Sequence, residues 1–118
     1  TVFPDNSNLA FGNGHDLRFV HNGSNSYQEN YTGNIYISNY ANDKNIQFSS
    51  DNGSGGVTAY ILLNGATGSV VLNHYGSTKL ATTSIGVTVT GDIQIDSALL
   101  SNQENTDVDT GAEVVMIL

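Results

Sequence analysis

Apolar residues in this chain recur at every second position and then give way to a glycine. Leu17 and Phe19 alternate around Arg18, Ile35 and Ile37 around Tyr36, Ile46 and Phe48 around Gln47, Val87 and Val89 around Thr88, and Ile93 and Ile95 around Gln94. A spacing of two sends successive side chains to opposite faces of an extended strand, so each pair marks a strand with one face suited to burial. The pattern never settles into the 3.6-residue period of a helix; the one helical candidate is 97–104, where Ala98, Leu99 and Leu100 support a turn or two. Between the runs stand 13 glycines in 118 residues. Glycine supplies the positive φ of tight turns, and Asn before it tolerates the same geometry, so Asn22-Gly23, Asn52-Gly53 and Asn64-Gly65 read as hairpin turns. Gly23, Gly53, Gly65 and Gly91 are assigned to structural turns on this ground.

The result is an all-β chain with strands near 9–11, 16–21, 34–38, 45–49, 58–63, 69–74, 78–82, 85–90 and 92–96. Pro4 is the sole proline, which leaves the rest free to pair in ladders. Residues 1–100 form the β-rich segment. An acidic connector, 101–113, follows, and a terminal apolar stretch, 114–118, is expected to form a strand or to dock on a partner.

A core is harder to find than strands. Trp is absent, Phe contributes four residues, and only 12% of the chain is charged, with Asn, Ser, Thr and Gly filling the space between. Such side chains make turns and surfaces, and small domains with poor cores draw stability from disulfides, metals or partners. Cysteine is absent, so no disulfide is available and association of subunits comes first. The net charge of −8, from eleven acids against Arg18, Lys44 and Lys79, repels a phosphate backbone and an anionic lipid surface. Nucleic acid is therefore excluded as a partner. Membrane insertion is excluded too, because runs such as Tyr60 to Leu63 are far too short to span a bilayer. No basic n-region with an apolar stretch opens the sequence, and a start at Thr1 without methionine is expected of a processed or excised piece.

A loose repeat runs through the strands: GNIYIS at 33–38, KNIQFS at 44–49 and GDIQID at 91–96. One unit offers only two apolar side chains to a core, so such units gain stability by stacking, either as solenoid coils or across copies of the chain around an axis. Short strands and shallow apolar content favour an elongated rod over a closed barrel. The stretch from Leu80 to Ile95 carries a run of strong strand formers without charge or proline, hazardous as a bare edge. Ile85, Val87, Val89, Ile93 and Ile95 are accordingly assigned to contacts between copies.

The segment from Phe11-Gly12 through Asp16-Leu17-Arg18-Phe19, His21-Asn22-Gly23-Ser24-Asn25-Ser26-Tyr27 and Gly33-Asn34-Ile35-Tyr36-Ile37 resembles the repeated element of tail-fibre and structural proteins of marine bacteriophages, including those of cyanobacteria. Gly86 to Ile93 and Asn105 to Gly111 are similar to short units further along such fibres, and together the likenesses cover over half the chain. Many relatives carry Asp where this chain has Asn22, and the usual continuation into a large C-terminal domain is missing. The resemblance implies a trimeric virion fibre without enzyme activity in the repeat. It would be made in the host cytoplasm, lie on the outer surface of the particle, adjoin other tail proteins, and take part in host attachment.

The loop from His21 to Tyr27 is the first candidate site. A carbohydrate-binding reading has Tyr27 stack on a sugar while His21, Asn22, Ser24 and Asn25 exchange hydrogen bonds with its hydroxyls. An architectural reading, which we prefer, has His21 end a strand, Gly23 turn the chain and Tyr27 pack on the next strand. Catalysis finds no support: Glu29 lies near His21 and Tyr27, but no strained nucleophile elbow marks a serine, and Ser54 has the wrong neighbours for one. For metals, Asp5 to Asn8 and Asp51 to Gly53 offer oxygen ligands without the pattern of a calcium loop, and His15, His21 and His74 are isolated in sequence. No metal and no cofactor is expected. The functions in view are a tail-fibre segment, a lectin-like module that binds a host-surface glycan, and a self-associating filament or capsid decoration protein.

Overall fold

A computed structural model describes residues 1–94. Eight strands make two antiparallel sheets: β1 (Asn8–Phe11), β2 (Leu17–His21) and β3 (Ser26–Asn30) in the first, and β4 (Ile46–Asp51), β5 (Val57–Leu63), β6 (Val70–His74), β7 (Ser77–Thr83) and β8 (Gly86–Val89) in the second. Each sheet is a plain meander in which every strand pairs with its neighbours in sequence. The domain is all-β and somewhat extended, 71 × 36 × 35 Å along its principal axes. Among the described residues there is no helix, and neither sheet closes into a solenoid coil.

Three of the hairpin loops share one device. Asn22, Asn52 and Asn64 each follow the last residue of a strand, and each turns its side-chain oxygen back over the loop. Asn22 Oδ1 accepts from the N–H of Ser24 (3.0 Å) and Asn25 (2.8 Å), Asn52 Oδ1 from Ser54 (2.8 Å) and Gly56 (3.0 Å), and Asn64 Oδ1 from Ala66 (3.0 Å) and Thr67 (3.1 Å). A short amide chain thus replaces the backbone partners that the turning strand has lost. The β6–β7 turn works differently. Tyr75 and Gly76 both take positive φ, 46° and 82°, as a two-residue turn matched to strand twist requires. A tyrosine is strained there, and its ring packs edge-on against Tyr60 at 6.2 Å and His74 at 4.9 Å, which offsets the cost.

Two of the expected strands are not formed. Residues 34–38 alternate correctly yet have no ladder, and Ile35, Tyr36 and Ile37 stand in solvent. Residues 92–94 likewise lie beyond the end of β8. The repeat at 33–38, 44–49 and 91–96 therefore does not recur as equivalent strands among the described residues. In exchange, Ser26–Asn30 forms a strand that the apolar pattern does not announce, held in place because the Asn22 loop folds it back on β2. The helical candidate 97–104, the connector 101–113 and the stretch 114–118 fall outside the described residues.

Where the core should be, the described residues of one copy supply none. No described residue is buried, polar or apolar. The two sheets share no ladder, and no described side chain is buried between them. Opposed residues of a ladder share a face, and the registers of the second sheet line up two apolar rows on the same side. One runs Phe48–Ile61–Leu72–Leu80–Val89 across all five strands; the other runs Ile46–Leu63–Val70–Thr82–Val87. The reverse side carries the row Gln47–Leu62–Val71–Ala81–Thr88. In the first sheet Leu9, Phe11, Leu17 and Phe19 form a smaller apolar patch.

Candidate functional site

The His21–Tyr27 segment is the tip of the β2–β3 hairpin. Asn22 N–H donates to the Asn25 carbonyl at 3.0 Å, and Gly23 sits at φ 91°, a value that side chains with a Cβ rarely adopt. The amides of Asn22 and Asn25 each reach the Tyr27 hydroxyl at 3.4 Å, while Tyr27 is 40% exposed. His21 Nδ1 and Ser26 Oγ are 3.0 Å apart across the ladder. The tip therefore satisfies much of its own hydrogen bonding, with the ring left open to solvent.

The N-terminal segment adds what the loop lacks. Asn6 N–H donates to the His21 carbonyl at 2.7 Å, which draws Phe3, Pro4 and Asp5 alongside the end of β2. Asp5 Oδ1 then lies 4.0 Å from His21 Nε2, both side chains half in solvent. Phe3, Leu9, Phe19, His21, Ser26 and Tyr27 help to enclose an open hollow of about 330 Å³, with a mostly apolar lining that includes the polar His21 and Ser26. Nothing in the local sequence announced this grouping, because Asp5 and Phe3 come from 16 and 18 positions before His21.

Asp5, His21 and Ser26 are in line, but a triad needs a water-excluding setting and donors for an oxyanion. Here the imidazole and carboxylate are exposed, and the N–H groups of Ser24 and Asn25 in the adjoining loop are taken by Asn22. Glu29 is not part of the group. It stands opposite Arg18 on the other face of the sheet, accepts from Arg18 at 2.6 Å and from the Tyr31 hydroxyl at 3.0 Å, and the guanidinium lies 4.7 Å from the Tyr31 ring centroid. The hydrogen bond to Glu29 is the first cause that holds Arg18 above its ordinary value, with burial acting against it.

The remaining sequence candidates are dispersed. Gly53 takes φ 81° in the β4–β5 loop beside the Tyr75 ring, and Gly91 takes φ 97° just after β8. Gly65 has no positive φ but lies against the Lys44 backbone. Val87 and Val89 are on edge strand β8, Ile85 is at the tip of the β7–β8 turn, Ile93 is past the strand, and Ile95 lies outside the described residues. Among the described residues no three acids or imidazoles gather as metal ligands would. No family model, curated protein or solved structure matches the chain.

Proposed function

We propose that this chain is a non-enzymatic, self-associating segment of a virion tail fibre, trimeric, borne on the outside of the particle and positioning the parts that attach to the host. The observation that carries the self-associating part is the absence of any buried side chain among 94 described residues. Ordering a residue costs roughly 1–2 kcal/mol of backbone entropy, and these sheets bury too little to meet it. Partners of the same sequence supply the missing layer at no added genetic cost, and an extended shape suits a shaft. The tail-fibre part rests on the resemblance of residues 11–37.

Three copies also suit the geometry. A five-stranded sheet is ~20–24 Å wide at ~4.8 Å per strand, and three such sheets enclose a prism whose walls stand ~6–7 Å from the axis, within reach of Leu, Ile and Phe side chains. Sedimentation of the protein at micromolar concentration tests the reading. Three chain masses are expected, and a folded monomer would sink it. Labelling intact particles with an antibody to this chain, viewed by electron microscopy, is expected to mark the tail; label elsewhere on the particle would instead make it a decoration protein.

The hollow beside the β2–β3 tip favours a second reading, a carbohydrate-binding module, because it joins apolar and aromatic walls to the polar His21 and Ser26. Binding of a host glycan that Phe19→Ala abolishes, in a protein still folded and assembled, would promote this reading above a purely positioning role.

A further inference from the structure

We infer that the apolar face of the five-stranded sheet, centred on Leu72, is the surface that packs against a second copy of this chain. The inference rests on the self-associating reading above and adds the surface that performs it. The row Phe48–Ile61–Leu72–Leu80–Val89 crosses every strand, and Ile46, Leu63, Val70 and Val87 lie on the same side. Phe48 is 47% exposed, Leu72 41% and Val87 58%. Summed over the face this leaves roughly 500 Å² of apolar surface per copy, at the upper end of the patches that soluble monomers tolerate. Pairing it with its like removes about 1,000 Å² before any polar rim is counted, which meets the minimum a specific interface has to clear.

Several features point to a copy of the chain as the occupant. The chain's own first sheet does not cover the face, since Phe48, Ile61, Leu72 and Val70 stay exposed with both sheets present. The nine apolar residues share the face with Thr82 and with no charged side chain in either row, so a partner of the same net charge meets no repulsion there. Neither row offers a charge to a cationic or anionic partner, and Lys44 stands only at the hollow beyond their end. The ladder shifts register at Phe48/Ser49 and at Leu72/Asn73, and beyond those irregularities β4, β6 and β7 turn polar with Ser49, Ser50, Asn73 and Thr78, while β5 continues with Ala59 and Val57. At the other end of the patch an open hollow of about 280 Å³ follows Ile46, Leu63 and Val70, a recess fit to receive a side chain from a facing sheet.

This assignment differs from a reading that places the contact along Ile85 to Ile95. Of the described residues of that set, Val87 and Val89 lie on the face; the greater part of it comes from β4 to β7.

The absence of cysteine allows a direct test. Leu72→Cys places a thiol at the centre of the face, and Thr88→Cys places one on the reverse side of the same sheet. In the assembled protein a bulky maleimide is expected to label the first thiol at least 10-fold more slowly than the second, with the difference lost on dilution to single chains. Leu72→Glu is expected to weaken association at least 10-fold by sedimentation, and Thr88→Glu to leave it unchanged. Equal labelling of the two thiols in an assembled particle would overturn the face while leaving self-association standing. A wild-type protein that sediments as a folded monomer would overturn both. Should Leu72→Glu fail to fold, the labelling comparison decides alone.

Discussion

Gly65 packs directly on the backbone of Lys44, so closely that a Cβ at position 65 would lie 3.0 Å from the Lys44 carbonyl carbon and overlap its oxygen. The approach joins the β5–β6 loop to the segment that leads into β4, and Gly65 N–H donates to Asn45 Oδ1 at 3.0 Å. Backbone cannot step aside as a flexible side chain can. Gly65→Ala is therefore expected to destabilise the fold by about 1–3 kcal/mol, measured as a lower denaturant midpoint at unchanged slope. An unchanged midpoint would mean that the two loops separate freely.

The asparagine device of the hairpins makes a paired prediction. Asn64 Oδ1 accepts two backbone N–H groups, and Asn64→Ala leaves both without a partner. At roughly 0.5–1.5 kcal/mol for each such bond, the loss is expected to be about 1–2 kcal/mol after water re-solvates the exposed loop. Asn64→Asp keeps the acceptor and should retain most of the stability. Equal losses in the two variants, read from thermal melts, would assign the role of Asn64 to its amide nitrogen instead.

The sequence carried the strand class, and the reason is local. Leu17 and Phe19, Ile46 and Phe48, and Val87 and Val89 alternate within one segment, and so do the strands they form. Ile35 and Ile37 alternate just as well without a strand, because alternation says which face a strand would bury and not whether a partner lies beside it. Ser26–Asn30 was illegible for the opposite cause: polar residues occupy both of its faces, and pairing with β2 alone defines it. The row through Leu72 is a property of register across five strands, and no single segment contains it. The Asp5–His21 approach depends in the same way on one long-range backbone hydrogen bond from Asn6.

Alkaline pH is expected to find Tyr60. Desolvation is the first cause that raises its phenol above the ordinary 10.0, with Tyr75 and Asp51 adding to it, and its hydroxyl donates to the Asp51 carbonyl at 2.6 Å. The fold thus holds the proton more tightly than the unfolded chain does. That contribution is complete below pH 10.0 and disappears as pH rises through the raised value. In a tyrosinate absorbance titration one phenol is expected to ionise after the others, and Tyr60→Phe should remove that late step. Melting temperature should also fall less steeply above pH 10.0 in Tyr60→Phe than in the wild type. A titration in which the late step survives the substitution would show that another phenol causes it.

The β2–β3 tip separates architecture from recognition. Gly23 sits at φ 91°, and a Cβ there would also come within 3.2 Å of the Asp5 carboxylate. Gly23→Val combines that approach with a β-branched residue at positive φ, and a loss on the order of 1–3 kcal/mol is expected. Ser24 and Asn25 contribute backbone N–H groups to Asn22, and those remain when their side chains are cut back to alanine. Among the described residues the double substitution removes one side-chain bond, the long 3.4 Å contact from Asn25 to Tyr27. Ser24→Ala with Asn25→Ala is thus expected to change stability by less than about 0.5 kcal/mol, as exposed substitutions away from packing and caps do. If the tip is architectural, the double variant attaches to host cells as the parent does, whereas Gly23→Val loses attachment only as far as it loses fold. Attachment lost in the double variant, with melting and assembly intact, would move the function of the tip from turning the chain to holding a glycan.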